Sequence, residues 1–390
     1  MNFHLTEEQQ AFSDSIRRFA QRELADGALE RAHSQDYPWE IAAKLAHQGL
    51  LGITIKEEDG GIGGTLMDAV IAIQELALVC PKSADVVQAG NFGAIRTFAE
   101  YASPELKERF LPDLIAGKSL LALGMSEPGA GSAVTELKTS AIEDGDHFII
   151  NGSKVFSTHS PHANTFLIYV RFGPGLNGIG SVIVERGTPG FEVGQPSPFM
   201  SGEEWCQLYF ADCRIPKANV LLGPGGFKKQ ISGFNVERIG NSSRSLALGR
   251  HAFNVAREHC LTREQFGRKL CEFQGLQWKF AEMAVKLESA QLLLYRAAVN
   301  ADGGLPSAYE TSVAKFACNT AGWEVSNEAL QAMGGYGYSS EALVEYCVKR
   351  IRGWMIAGGS LEVLKNRIAE DVFDRRFDQR PPKVEGAKHA

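Results

Sequence analysis

The sequence predicts an α+β chain in three consecutive parts. These are an N-terminal all-helical domain over 1–120, a small antiparallel β-barrel domain over 121–228 and a C-terminal four-helix bundle over 229–376, with a tail over 377–390. Three observations predict this. Apolar residues recur at three- and four-residue spacing in the first and last thirds, the signature of helices with one buried face. The middle third instead carries short runs rich in Val, Ile, Phe and Tyr, separated by Asn-Gly, Gly-Pro and Pro-Gly turns. A chain of 390 residues is also long for one core, so two or three packed units are expected.

Thr6-Glu-Glu-Gln9 is a capping-box pattern that opens the first helix, followed by Phe12, Ile16 and Phe19 at helical spacing. Asp59-Gly-Gly-Ile-Gly-Gly64 interrupts the pattern as a loop. Met67–Val79 reads as an apolar helix, and another starts in Asn91–Tyr101. Gly117-Lys-Ser119 resembles the end of a P-loop, but Pro112 occupies the position of its first glycine. The apolar run 120–124 reads as a buried strand, and 147–150, 165–172, 181–185 and 207–210 follow as further strands. No helices alternate with them, which argues for a barrel or sandwich and against a parallel sheet. Gly173-Pro-Gly-Leu-Asn-Gly178 fits GxGxxG literally, but lies between two strands with no helix after it, so it is a turn. In the last third Phe273, Leu276, Phe280, Met283, Leu287, Ala290, Leu294 and Ala297 form the seam of a long bundle helix. Asp302–Pro306 is the loop to the next helix, which starts near Ser307, and Arg375–Ala390 reads as a loosely held tail.

A formal net charge of -6 gives no electrostatic case for nucleic acid or an anionic membrane. The first residues carry no basic and apolar leader, and no apolar run reaches membrane-spanning length. Seven scattered cysteines, none in CxxC spacing, read as buried thiols of a reducing, cytoplasmic compartment. The histidines show no ligand spacing, so no metal site is expected.

Four segments hold more than packing. The first is Met125-Ser-Glu-Pro-Gly-Ala-Gly-Ser132, a tight loop after a strand, rich in free backbone N–H groups and hydroxyls that suit a polar ring edge or a phosphate. The second is Asn151-Gly-Ser-Lys-Val-Phe-Ser-Thr158, a turn feeding a strand that sets Phe156 and Thr158 on one face, a ring to stack and a hydroxyl to donate. The third runs from Asn235-Val-Glu-Arg-Ile-Gly240 to Arg263-Glu-Gln-Phe-Gly267 and Phe273-Gln274. The fourth is Gln331-Ala-Met-Gly-Gly-Tyr-Gly-Tyr338, followed by Ile356-Ala-Gly-Gly-Ser-Leu-Glu362.

With helix, β domain and helix in this order, these segments closely resemble the acyl-CoA dehydrogenase family from about residue 4 to 376. The resemblance implies FAD bound between the β domain and the C-terminal bundle. Met125, Ser126, Phe156 and Thr158 match positions that hold the flavin ring, and Ser132 one on the CoA side. Arg263, Phe266, Gln274, Gln331, Gly334 and Gly335 match those gripping the pyrophosphate and adenosine across a subunit interface. Ser360 and Glu362 match the terminal flavin contacts, and Phe234, Asn235 and Arg238 the pantetheine-side helix. The implied partners are an acyl-CoA substrate, an electron-transferring flavoprotein and further copies of the chain, a dimer or tetramer. The acyl pocket's far end is expected along Cys80–Asn91, and Arg96 or Lys82 are candidates to meet a substrate carboxylate, with surface placement the competing reading.

The chain departs from the commonest pattern at one decisive place. Most members carry the catalytic base in Tyr-Glu-Gly-Thr before the last helix, but here the run is Ala357-Gly358-Gly359-Ser360. Gly358 thus stands at a substrate-side position without a carboxylate. A smaller group, including the isovaleryl- and long-chain enzymes, carries its base beside the helix arginine. That position is Glu237, which is therefore the candidate catalytic base; the competing reading is a surface or helix-capping carboxylate. Phe199–Trp205 also replaces a usual Met-Gly-x-Arg-x-Ser turn. The Ala-Gly-Gly-Ser motif and Glu272–Trp278 resemble a branch that includes a sulfinopropionyl-CoA desulfinase and benzylsuccinyl-CoA dehydrogenase. The expected reaction is α,β-dehydrogenation of an acyl-CoA. An enoyl-CoA reductase or redox-neutral eliminase on the same fold is the alternative, and a cofactor-free scaffold a third reading.

Overall fold

A computed structural model describes residues 4–301 and 305–379. Seven helices come first: α1 (Glu7–Glu23), α2 (Ala28–His33), α3 (Trp39–His47), α4 (Leu66–Ala77), α5 (Pro81–Asn91), α6 (Ala94–Tyr101) and α7 (Pro104–Ile115). The capping box at Thr6 is formed, with Gln9 N–H donating to Thr6 Oγ1 at 3.2 Å and Thr6 N–H to Gln9 Oε1 at 3.1 Å. The apolar helix predicted from Met67 is α4, whose buried face packs along α1 and α5.

The strands are β1 (Leu121–Gly124), β2 (Ser140–Asp144), β3 (His147–Thr158), β4 (Thr165–Arg171), β5 (Ile179–Glu185), β6 (Phe191–Val193), β7 (Ser197–Pro198), β8 (Glu204–Pro216) and β9 (Val220–Leu222). They form one nine-stranded sheet in the order β6-β8-β3-β2-β4-β5-β9, with β7 on β8 and β1 on β4. This corrects the expected antiparallel barrel. Among the described residues the pairing does not close, and β1 and β2 both run parallel to β4. The physical reason is connectivity. A parallel pair needs a long crossover, and the loop after β1 together with the β2–β3 hairpin supplies one.

The segment Asn151–Thr158 is a second correction. It is no turn but the latter part of the single strand β3, with register shifts against β8 between Ile150 and Gly152 and between Lys154 and Ser157. Such bulges let one strand bend and re-aim its side chains, and the second puts Phe156 at φ 57°.

The rest is again helical. The 36-residue α8 (Phe227–Thr262) leads through β10 (Glu264–Gln265) and β11 (Arg268–Lys269) to α9 (Gln274–Val299). Then come α10 (Ala308–Met333), α11 (Gly335–Tyr338), α12 (Val344–Trp354) and α13 (Leu361–Val372). The α9 seam is buried from Met283 to Ala297 and half-buried at Phe273, Leu276 and Phe280. Residues 302–304 of the predicted loop and 380–390 of the predicted tail lie outside the described residues. Helix α10 packs along α8 at small residues: a Cβ on Gly322 would fall 2.3 Å from the Ser245 carbonyl oxygen. Ser307 caps α10 as expected, its Oγ accepting from Glu310 N–H at 3.4 Å. The cysteines Cys80, Cys206, Cys213, Cys260, Cys318 and Cys347 are buried free thiols, and Cys271 is half-buried. Among the described residues no helix is long and apolar enough to cross a membrane.

Candidate active site

The site begins with a stripe on α8. Phe234, Glu237, Asn241 and Arg244 recur at spacings of three, four and three, which stacks them on one helix face. Helix α5 supplies the opposing rungs. Gln88 Nε2 donates to Glu237 Oε2 at 2.6 Å, and Arg244 Nη1 donates to Asp85 Oδ1 at 2.9 Å. The two helices come this close because residue 240 is glycine. A Cβ there would sit 1.9 Å from Gln88 Oε1 and 2.7 Å from Phe92 Cγ.

Glu237 is neither on the surface nor a cap. Its side chain keeps 22% of its surface open, and Arg244 Nη2 lies 3.6 Å from its Oε1. Burial pushes its carboxyl above the usual carboxylate range, because the charged form loses water; Arg244, Lys315 and the Gln88 hydrogen bond oppose the shift. Gly358, at φ +70°, is next to it. A Cβ on Gly358 would lie 3.9 Å from Glu237 Cγ and 3.7 Å from Lys315 Cε. Positions 237 and 358 thus converge on one spot, although 121 residues separate them in sequence (358 minus 237).

Lys315 of α10 had no signal in the sequence beyond a charge in an apolar pattern. It is fully buried, and its Nζ donates to the carbonyls of Trp354 and Gly359 at 3.0 Å each. Burial, reinforced by Arg238 and Arg244 and opposed by Glu237, brings its ammonium down to about 7. It ties the Gly358–Gly359 turn to α10, beside Glu237. Arg238 lies on another face of α8, where its Nη1 donates to Asn235 Oδ1 at 3.1 Å and Asn235 Nδ2 donates to the Pro306 carbonyl at 3.2 Å. Burial lowers the Arg238 guanidinium to about 10. Phe234 is half-buried and meets Tyr169 edge-on, ring centroids 6.5 Å apart. Lys82 and Arg96 are engaged elsewhere. Lys82 Nζ donates to the Ser34 carbonyl, and Arg96 Nη1 to Glu100 Oε2 at 2.6 Å.

In the β domain, two motifs that the sequence presents separately prove to be one unit. Glu127 of the Met125–Ser132 loop and Lys154 of β3 form a buried ion pair, Nζ to Oε1 2.7 Å. Glu127 also accepts from Thr139 Oγ1 at 2.6 Å, Thr139 N–H at 2.9 Å and Lys138 N–H at 2.6 Å. The Ser126 carbonyl accepts from Val155 N–H at 2.9 Å, so the loop is stitched to β3 at both Lys154 and Val155. Beside it Phe156 is 58% exposed and packs against Trp205 at 4.7 Å between ring centroids. Met125, Ser126 and Thr158 are half-buried and Ser132 is exposed. An open aromatic shelf next to a hydroxyl-bearing loop fits a flat, polar-edged ring such as a flavin.

The remaining predicted positions are exposed: Arg263, Phe266, Gln274, Gln331, Gly334, Gly335 and Glu362. Phe266 stands 94% open at φ 55° and meets Phe273 at 6.4 Å. His259 stacks on Tyr336 at 5.6 Å, which brings the end of α8 to the Gly334–Tyr338 turn. Ser360 caps α13, its Oγ accepting from Val363 N–H at 3.4 Å.

Comparison with known proteins agrees with this layout along the whole chain. Family models described as the N-terminal, middle and C-terminal domains of acyl-CoA dehydrogenase match residues 6–118, 122–213 and 224–373. A short-chain-specific acyl-CoA dehydrogenase of Clostridium acetobutylicum is 34% identical over 96% of this chain and 100% of its own. The 3-sulfinopropanoyl-CoA desulfinase of Advenella mimigardefordensis is 35% identical over 97% of this chain and 96% of its own. The solved structure of butyryl-CoA dehydrogenase from Megasphaera elsdenii superposes with a TM-score of 0.89 at 31% identity, covering 96% of this chain and 100% of that one.

Proposed function

Because this chain belongs to the acyl-CoA dehydrogenase family, we propose that it is an FAD-dependent enzyme that dehydrogenates an acyl-CoA between its α and β carbons, with Glu237 as the base. Met125, Ser126, Phe156 and Thr158 would hold the flavin ring, with Ser360 and Glu362 at its far side. Arg263, Phe266, Gln274, Gln331, Gly334 and Gly335 would grip the pyrophosphate and adenosine of a neighbouring subunit's FAD, which makes the protein at least a dimer. FAD, when bound, supplies the acceptor for the β-hydride, and an electron-transferring flavoprotein is the proposed next acceptor.

The observation that carries this reading is the half-enclosed Glu237 carboxylate opposite a glycine turn. Phe234, Asn235 and Arg238 would take the pantetheine side, with Ser132 toward the CoA. The thioester α-carbon then lies in the gap that Gly358 leaves open beside Glu237. Burial raises the carboxyl, and a higher pKa makes the carboxylate a stronger base for a weakly acidic α-proton. Arg244 at 3.6 Å opposes that rise and favours the ionised form that a base requires. Gln88 fixes the carboxylate's other oxygen and orients it.

The test is anaerobic titration of the purified yellow protein with acyl-CoA. The wild type should bleach; Glu237→Gln should keep its FAD and not bleach. Flavin reduction near the wild-type rate in that variant would end the assignment. The likeness to a desulfinase sustains a second reading, redox-neutral elimination, in which acyl-CoA is consumed while the flavin stays oxidised.

A further inference from the structure

We propose that Arg244 reads the acyl group, and that the preferred substrate is a short acyl-CoA whose distal end carries a carboxylate. This rests on the active-site reading above, with the base at Glu237 and the pantetheine toward Phe234. Given that direction, the acyl chain leaves the α-carbon along α8 toward Asn241 and Arg244. The guanidinium it meets lies one helical turn beyond Asn241, 3.6 Å from the Glu237 carboxylate and so only a few bonds past the β-carbon.

Arg244 is only partly neutralised where it stands. Its side chain is 8% exposed, Nη1 donates to one oxygen of Asp85, and its buried Nε has no partner among the described residues. The other oxygen of Asp85 belongs to Arg350, which donates to it at 2.5 Å and also holds Glu203. Arg350 therefore has two carboxylates in hydrogen-bond contact, whereas Arg244 shares Asp85 and otherwise has only the more distant Glu237. Trp354 backs both guanidinium planes, with Arg244 Cζ 4.5 Å and Arg350 Cζ 5.0 Å from its ring centroid, and keeps water from that side.

The charges point the same way. Glu237, Asp85 and Glu203 face Arg244 and Arg350, with Lys315 close to Glu237, Arg238 close to Lys315 and Lys82 close to Asp85 and Glu203, so the cluster holds no excess of negative charge. When Glu237 takes the α-proton it becomes neutral, and one positive charge is left over in a buried cluster. A carboxylate on the substrate cancels it. A plain alkyl chain instead leaves the guanidinium desolvated against methylenes, which is unfavourable.

The test uses the holoenzyme with two five-carbon thioesters, glutaryl-CoA and pentanoyl-CoA. Dissociation constants are read by calorimetry and flavin bleaching is read separately. Wild type should bind glutaryl-CoA at least about tenfold more tightly, and Arg244→Met should shift that ratio by about 100-fold toward pentanoyl-CoA, the scale for truncating one member of a buried charge pair. Arg244→Lys, which keeps a cation for Asp85, should keep part of the preference and covers the case in which the methionine variant does not fold. Equal or tighter wild-type binding of pentanoyl-CoA, or a ratio that the Arg244 variants leave unmoved, overturns the proposal. The two readings separate cleanly. Bleaching by pentanoyl-CoA without a glutaryl-CoA preference keeps the base and removes the role of Arg244. A glutaryl-CoA preference that depends on Arg244, without bleaching by either thioester, does the reverse.

Discussion

Replacing Lys154 by methionine tests how the flavin-side loop is held. Lys154 is completely buried, and its ammonium is brought down from 10.5 to about 8, burial outweighing the pull of Glu127. At about 1.4 kcal/mol per pKa unit, holding it charged at pH 7 costs on the order of 3 kcal/mol relative to the unfolded chain. Its partner Glu127 is instead held below the usual carboxylate range, its burial outweighed by Lys154, Thr139 and Lys138, so the cost of the pair falls on the lysine. Breaking the pair from one side is different, since Glu127 would stay ionised and buried on its three remaining donors, a loss of about 3–5 kcal/mol. Lys154→Met should therefore lower the melting temperature by several degrees and loosen FAD. The double variant Lys154→Met/Glu127→Gln should recover much of that loss, because no unpaired charge remains. The sign with pH follows: between about 8 and 10.5 the unfolded chain holds a proton that the folded Lys154 has released, so this residue's penalty fades and stability rises over that window. The assay is thermal unfolding followed by flavin fluorescence for the four proteins of the cycle, repeated at pH 7 and pH 9. Strictly additive single-variant effects would refute the reasoning.

Two further outcomes are expected. Lys315→Met removes a positive charge that holds the Glu237 carboxyl down, so the acid limb of kcat/KM should move to higher pH; an unmoved limb would show that Lys315 acts only on the Gly358–Gly359 turn. Phe156→Ala should leave the apo-protein's stability within about 0.5 kcal/mol of wild type, since the ring is 58% exposed, while lowering FAD occupancy measured at 450 nm on the order of tenfold.

How much of this was legible in the sequence depended on whether a feature is local. Thr6 and Gln9 cap α1 as read because a capping box is complete within four residues. The seam of α9 followed from its spacing. The path of the sheet did not, because β1 finds β4 across some forty residues and nothing in either strand encodes a parallel partner. Asn151-Gly152 was misread for a related reason. Asn-Gly favours a turn locally, but β8 continues past it and converts the glycine into a bulge at φ +145°. At the site, single positions such as Glu237 and Phe156 stood out through motif neighbours. Lys315, Gln88, Asp85 and Arg244 did not, since each is a polar residue without a motif around it and gains meaning only from what other helices bring to it.

The glycine at 358 and the glutamate at 237 are better understood as one choice than as two. A side chain at 358 would begin 3.9 Å from Glu237 Cγ. A second carboxylate there would share the pocket with the first. Two acids that close cannot both ionise, so one of them would be held protonated and lost as a base. The position also lies at φ +70°, where a residue with a Cβ is strained by about 1–2 kcal/mol. With the acid placed on α8, the turn is free to be Gly358–Gly359 and to come within reach of Lys315 and Arg238. Placing the proposed base on α8 also sets it on the same helix face as Arg244, so on this reading the position of the base and the polarity of the acyl pocket are linked through a single helix.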